Sequence, residues 1–418
     1  MRFTTINSKK YTGIERLLKL TVFLTVCIGG SIAQAAKVPA GQVRFFNNAN
    51  TDFNAYVNNP NAAQKKWMRD HYSRMLSYSP SFDKKNSWYK GGLAYVNSYA
   101  IYENDSVARS HPEWIMRDVR GHKLYIPWDC GGGRCSQFAG DFSNPKFRSY
   151  MIQKMQATVK KGYRGLWLDD VNLTWRVGNN NDVNVHITPI DSNTRKAMTL
   201  NDWRRYFTQY LEEVRAALPK TVEISHNAIW YADSMRTENP YITRQIKAAN
   251  YINLERGASD GGLVRGTGQW GYETFLKYID YVHKHGAGVI LMDEGYTTTQ
   301  REYGLATWFL ISQGNDLFSS DQSNWAAPNS WWKGYSLNLG KALNDRYTWN
   351  NLLRRDFACG SVILNQPDTA TRSVSVGNSY KNVDGQPVAS VNLQAKTAAI
   401  LKTTCNAART VPSHKFIR

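Results

Sequence analysis

Between residues 40 and 350, short apolar runs alternate with stretches of helical spacing, and the alternation repeats eight times. The runs are VRFFNN (43–48), GLAYVNSY (92–99), SQFAGDFSNP (136–145), GLWLDD (165–170), TVEISHN (221–227), YINLERG (251–257), GVILMDEG (288–295) and NDLFSSDQ (315–322). Helical patterns lie between them. AAQKKWMRDHYSRML within 61–78 predicts a first helix, and Asn144 with Pro145 opens another directly after the third run. Thr199 and Asp202 form a capping box, ahead of Trp203, Phe207, Leu211, Val214 and Leu218 at helical spacing. Strands that each feed a helix build a parallel sheet, and eight units over roughly 300 residues predict an α/β chain folded as a (β/α)8 TIM barrel. A doubly wound sheet would show a Gly-rich turn after its first strand, which FFNNANT lacks.

Near residue 355 the period changes. CGSVILNQP, SVSVGNSY and VASVNLQAKTAAILKTTC alternate with period two around the turn NVDGQPV. They predict a small C-terminal antiparallel β-domain, sandwich-like, over 353–418, with the barrel over 36–352. Residues 1–35 stand apart. Lys9, Lys10, Arg16 and Lys19 precede LTVFLTVCIGG, and Ala33-Gln34-Ala35 follows. This is the pattern of a secretory signal peptide, too short to anchor stably in a bilayer. It predicts a bacterial protein that is secreted or periplasmic, without stable membrane insertion.

Four cysteines remain beyond that leader, an even number that implies disulfides in an exported chain. Spacing favours Cys130 with Cys135 and Cys359 with Cys405. The formal charge is +19, and +15 without residues 1–35. The basic residues are scattered and no nucleic-acid motif is present, so no nucleic-acid partner is expected. An acidic polysaccharide or envelope suits an exported basic surface better, with simple solubility as the competing account. No metal-ligand motif appears, and no cofactor is implied.

In a barrel, working residues sit at the C-terminal ends of strands. Those ends carry Asn97 and Tyr99, Asp141, Asp169 and Asp170, His226 and Asn227, Glu255 and Arg256, Asp293 and Glu294, and Asp321. Two carboxylates facing across a sugar are the minimum equipment for glycoside hydrolysis. Asp169 and Glu255, from the fourth and sixth runs, are the predicted pair. Pleating predicts that Asp170 turns away from Asp169, in support of a loop or of substrate. Asn97, Tyr99, Asp141, His226, Asn227, Asp293, Glu294 and Asp321 are candidate substrate contacts. Trp114, Trp128, Trp175, Trp230, Trp270, Trp325, Trp331 and Trp332 fall mostly in loops, where they could stack on sugars or cover the barrel's ends. Trp175 and Trp230 lie just beyond strands that carry candidate acids. His283 and His285, on a helix end, are expected at the surface.

GYRGLWLDDVNL, with HPEWIMRDVRGHKL and GDFSNPKFRSYM before it and YINLERG after it, resembles TIM-barrel glycoside hydrolases. The relatives belong with the endo-α-1,4-galactosaminidase superfamily, which cleaves microbial exopolysaccharides. The resemblance implies Asp169 as a catalytic aspartate at the fourth strand, Glu255 as its partner at the sixth and Asn227 as a substrate contact at the fifth. It implies a polysaccharide substrate, of acidic or amino-sugar type. The polar insertion at 176–198 departs from the simplest form of the pattern. A catalytically inactive barrel that binds glycan in a matrix or secretion system is the alternative, and stereochemistry stays open.

Overall fold

The computed structural model describes residues 38–48, 58–130, 135–178, 186–228, 239–320 and 331–405. The strands up to residue 320 are β1 (Phe45–Asn47), β2 (Tyr72–Ser77), β3 (Gly92–Asn97), β4 (Ala100–Tyr102), β5 (Gln137–Ala139), β6 (Gly165–Val171), β7 (Glu223–Ala228), β8 (Tyr251–Arg256), β9 (Gly288–Asp293) and β10 (Leu317–Ser320). All except β4 and β5 are parallel and close into an eight-stranded barrel, β10 pairing back to β1. Residues two apart on a strand share a face. Phe46, Leu76, Leu93, Trp167, Tyr251, Ile290, Met292 and Leu317 form one apolar cluster that fills the lumen and fixes which residues point inward.

The helices are α1 (Ala62–His71), α2 (Ser106–Ser110), α3 (Pro145–Lys160), α4 (Leu200–Ala217), α5 (Pro240–Lys247), α6 (Tyr272–Lys284) and α7 (Thr298–Ile311). Capping boxes start α1, α4 and α7, the α4 box being Thr199 with Asp202. Asn144 and Asn239 cap α3 and α5, each followed by proline. On α4, Trp203, Phe207, Leu211 and Val214 are buried against the barrel, each worth ~1.5–3 kcal/mol by burial.

Two expectations are corrected. The helical pattern of 61–78 ends at His71, and Tyr72–Ser77 is the second barrel strand. Met68, Tyr72 and Met75 sit at i, i+4 and i+7, and all are buried, yet the first belongs to a helix and the others to a strand. The run at 136–145 is not a barrel strand. Its β5 pairs antiparallel with β4 in a two-stranded sheet outside the barrel, before Asn144 starts α3. The chain from Ser98 to Asn144 is thus an excursion between β3 and α3. The two misreadings offset each other, so β6 is still fourth and β8 sixth in the barrel.

A six-stranded antiparallel sheet follows: β11 (Tyr347–Trp349), β12 (Leu352–Phe357), β13 (Gly360–Asn365), β14 (Arg372–Lys381), β15 (Pro387–Leu393) and β16 (Thr397–Lys402), in the order β11-β12-β13-β16-β14-β15. Val362, Leu364 and Ile400 join the main core, while Leu352, Ile363 and Leu401 form a second cluster on the other face. Arg355 Nη1 donates to the carbonyls of Phe309, Leu310 and Ser312 at 2.9, 3.3 and 2.9 Å, satisfying the C-terminus of α7. Disulfides join Cys130 to Cys135 and Cys359 to Cys405, the pairing that spacing favoured. No helix among the described residues is long and apolar enough to cross a membrane. The leader at 1–35 lies outside the described residues.

Candidate active site

A cleft of about 340 Å³ opens at the C-terminal end of the strands. Asp169, Asn227 and Glu255 lie along it, on the neighbouring strands β6, β7 and β8. Parity explains their meeting: Trp167 and Tyr251 point into the lumen, so Asp169 and Glu255 do too.

The Asn227 amide joins the two acids. Its Nδ2 donates to Asp169 Oδ1 at 2.8 Å and reaches Glu255 Oε2 at 3.4 Å. Asn253 Nδ2 donates to Asn227 Oδ1 at 2.9 Å, which fixes the amide with its NH2 towards the acids. Asp169 has two further donors. Tyr95 Oη reaches Oδ2 at 2.8 Å, and the Asp170 N–H reaches Oδ1 at 2.9 Å. Tyr95 stacks on Trp167, and burial together with Asp169 keeps its hydroxyl protonated.

Asp170 also lines the cleft, contrary to the expectation from pleating. The β6–β7 register shifts between Leu168 and Val171, which face His226 and Ala228. Asp169 and Asp170 therefore oppose Asn227 alone, as in a β-bulge. Asp170 takes a left-handed φ of 56°, which Asp tolerates better than most residues. Its carboxylate accepts from Asn97 Nδ2 at 2.7 Å and Arg176 Nη1 at 3.0 Å. Burial, then the neighbouring charge of Asp169, pushes its pKa up to about 6.

The sequence pattern of hypothetical glycosyl hydrolase family 15 matches residues 74–361. The chain belongs to this family. The protein is a glycoside hydrolase, and its cleft sits where barrel enzymes place their chemistry. Among solved structures, the isomalto-dextranase of Arthrobacter globiformis T6, complexed with panose, superposes with a TM-score of 0.51. Identity is 13%, covering 90% of this chain and 76% of that one. The glycoside hydrolase domain of PelA from Pseudomonas aeruginosa gives a TM-score of 0.39 at 14% identity, covering 68% of this chain and 95% of the domain. An α-galactosidase from Lactobacillus brevis gives 0.48 at 10%, covering 90% and 56%. No curated protein sequence matches the chain.

Within this family-15 barrel the other candidates are dispersed. Asn97 lines the cleft and holds Asp170. Tyr99 is fully buried between Phe142, Trp203 and Phe207, behind the site. Asp141 accepts from the N–H and hydroxyl of Ser143, shaping the turn before α3. His226 neighbours Asn227 and so faces the opposite way. It is buried, which pushes its pKa down to about 3 and keeps it neutral. Asp293 likewise points away from the lumen, opposite Met292, and accepts from Ser259. Glu294 does not line the cleft; its N–H donates to Ser259 Oγ at 3.1 Å. Trp175 packs on the main core rather than in the cleft. His283 is not a surface residue: its Nε2 pairs with Asp316 Oδ1 at 2.7 Å, at only 10% side-chain exposure. Trp230, Trp325 and Asp321 lie outside the described residues.

Sequence reasoning overlooked Tyr95, Trp167 and Arg176. Tyr95 is two residues before Asn97 and Trp167 two before Asp169, so the period-two rule that selected the acids reaches them as well. Arg176 lies in a loop, where no period applies.

Proposed function

We propose that this glycoside hydrolase is exported and cleaves a bacterial exopolysaccharide, with Asp169 as nucleophile and Glu255 as general acid. The Asn227 amide, within reach of both carboxylates, is the observation that carries the reading. Three donors converge on Asp169 and hold its carboxylate in one orientation, as an in-line nucleophile requires. Glu255 meets the same amide at 3.4 Å, which brings the proposed acid next to the nucleophile.

In the first step Glu255 gives its proton to the leaving glycosidic oxygen while Asp169 bonds to the anomeric carbon. In the second, Glu255 takes a proton from water, whose oxygen displaces Asp169. Retention of configuration is the expected outcome. The two carboxylates reach one amide group, a close approach that suits the ~5–5.5 Å of retaining enzymes better than the ~6.5–9.5 Å of inverting ones.

The cleft's charge bears on substrate type. Among the described residues, Asp169, Asp170 and Glu255 face a single lining cation, Arg176, which is engaged with Asp170. This balance favours a neutral or amino sugar at the reacting position over an acidic one, despite the basic net charge. The two disulfides support export.

Reducing-end release from a panel of neutral, acidic and amino-sugar polysaccharides tests the function. Asp169→Asn and Glu255→Gln should each lower turnover ~10²–10⁴-fold or more. Full activity in either variant overturns the assignment. Glycan binding without any release of reducing ends favours the inactive barrel instead.

A further inference from the structure

The mechanism uses the floor of the cleft, and leaves its rim unexplained. On that rim three aromatic side chains stand in solvent: Tyr78 at 49%, Tyr102 at 41% and Trp128 at 57% exposure. Large exposed aromatics are costly to leave in water and mark binding surfaces. Tyr78 sits at the end of β2 and packs on Tyr95, 5.2 Å between ring centres, beside Asp169. Tyr102 and Trp128 belong to the excursion between β3 and α3, which the barrel does not need for closure.

Their positions are fixed on both sides. Tyr102 pairs across the small sheet with Gln137, which also lines the cleft. Ile126, two residues before Trp128, donates its N–H to Gln137 O at 3.0 Å. Tyr125 exchanges two backbone hydrogen bonds with Gly178, at 2.8 and 2.9 Å, tying this segment to the loop beyond β6. Beyond Trp128 the Cys130–Cys135 disulfide closes the segment again, with Cys130 Sγ 3.6 Å from Trp128 O. An exposed indole held between a strand pair and a disulfide is preorganised.

A second observation points to a polar ligand. Gln137 is 98% buried in the cleft wall, and its Oε1 has no hydrogen-bond partner among the described residues. A buried amide oxygen left unpaired costs about 1–3 kcal/mol, which a ligand hydroxyl relieves.

We propose that Trp128, Tyr102 and Gln137 form a second sugar subsite, holding the ring next to the one whose bond is cleaved. The two aromatic faces take the C–H face of a pyranose, and Gln137 Oε1 accepts from a hydroxyl on it. Cys130 and Cys135 are positioning residues that hold Trp128 in place. The ligand is therefore a glycan chain rather than a single sugar. The inference rests on the glycosidase reading, but its test is separable.

The test uses the full chain carrying Glu255→Gln, displayed against an array of bacterial exopolysaccharides and neutral, acidic and amino-sugar oligosaccharides from disaccharides upward. Glu255→Gln should retain at least one glycan. Adding Trp128→Ala should weaken that binding about tenfold or more, equal to ~1.4 kcal/mol, and adding Cys130→Ser with Cys135→Ser should weaken it in the same direction. Adding Trp270→Ala, an exposed indole outside the cleft lining, should not. In the otherwise native enzyme, Trp128→Ala should raise KM on polymer with kcat held, the mark of lost substrate binding. Melting curves are expected to coincide for Trp128→Ala and the parent, because the side chain is exposed.

Undiminished binding in the Trp128→Ala background overturns the subsite, even if the parent enzyme hydrolyses the glycan. Failure of Glu255→Gln to retain any glycan overturns it too. If no polysaccharide is hydrolysed but glycan binding still depends on Trp128, the catalytic reading fails and the subsite stands.

Discussion

Asn227 serves two acids with one NH2 group, so its side chain should matter more than its size suggests. Asn227→Ala removes a charge-assisted hydrogen bond from Asp169 and the amide that Asp169 shares with Glu255. Such bonds contribute ~1.5–3 kcal/mol, so turnover should fall about ten- to hundredfold with folding intact. Tyr95→Phe should cost a similar factor by removing the donor to Oδ2. Wild-type turnover in both variants would separate these contacts from catalysis. Legibility at this scale followed the strand period. Asp169, Asn227 and Glu255 could be selected from sequence because they end neighbouring strands on one face. His226 could have been set aside by the same rule, being adjacent to Asn227. Asp293 offers a different test. Complete burial pushes its pKa from the usual 3.8 up to about 6. A carboxyl raised in the folded state contributes stability that is present below pH 3.8 and lost as pH rises through about 6. Asp293→Asn abolishes that titration. Its melting temperature relative to wild type should therefore improve between pH 4 and pH 7, and a constant difference would contradict the account.

The bulge in β6 is the element that sequence pattern could not supply. Period-two reasoning sends Asp170 away from the cleft, and only the paired register of β6 and β7 shows two residues facing one. The same limit hid β2, because Met68, Tyr72 and Met75 satisfy helical spacing while belonging to a helix and a strand in succession. Local pattern also identified β5 and the cap of α3 correctly, yet not that β5 pairs with β4 outside the barrel. Pairing is a non-local property, and one-dimensional periodicity carries none of it. Where β6 enters the barrel, Gly165 packs against β7 so closely that an added Cβ would lie 1.9 Å from Glu223 O. Glu223 is itself anchored by Arg74 and Arg164, so β7 has little room to yield. Gly165→Ala should destabilise the protein by ~1–3 kcal/mol or more, read as a lower midpoint in urea unfolding.

At the scale of the whole molecule, alternation predicted the barrel and a change of period predicted the antiparallel sheet. How the two join was not legible. The sheet begins with Tyr347, and Arg355 from β12 caps the last barrel helix by bonding three of its terminal carbonyls. Buried and serving three acceptors, Arg355 should be costly to remove. Arg355→Ala is expected to destabilise by ~1–3 kcal/mol or more and to lower the melting temperature of barrel and sheet in a single transition. Two separate transitions would show that they unfold independently. The clamp also sets an order in time. When the ribosome has finished α7, the residue that completes it has not yet been made. The cap on that helix forms only after the chain has emerged past Arg355, so the helix and the sheet mature together.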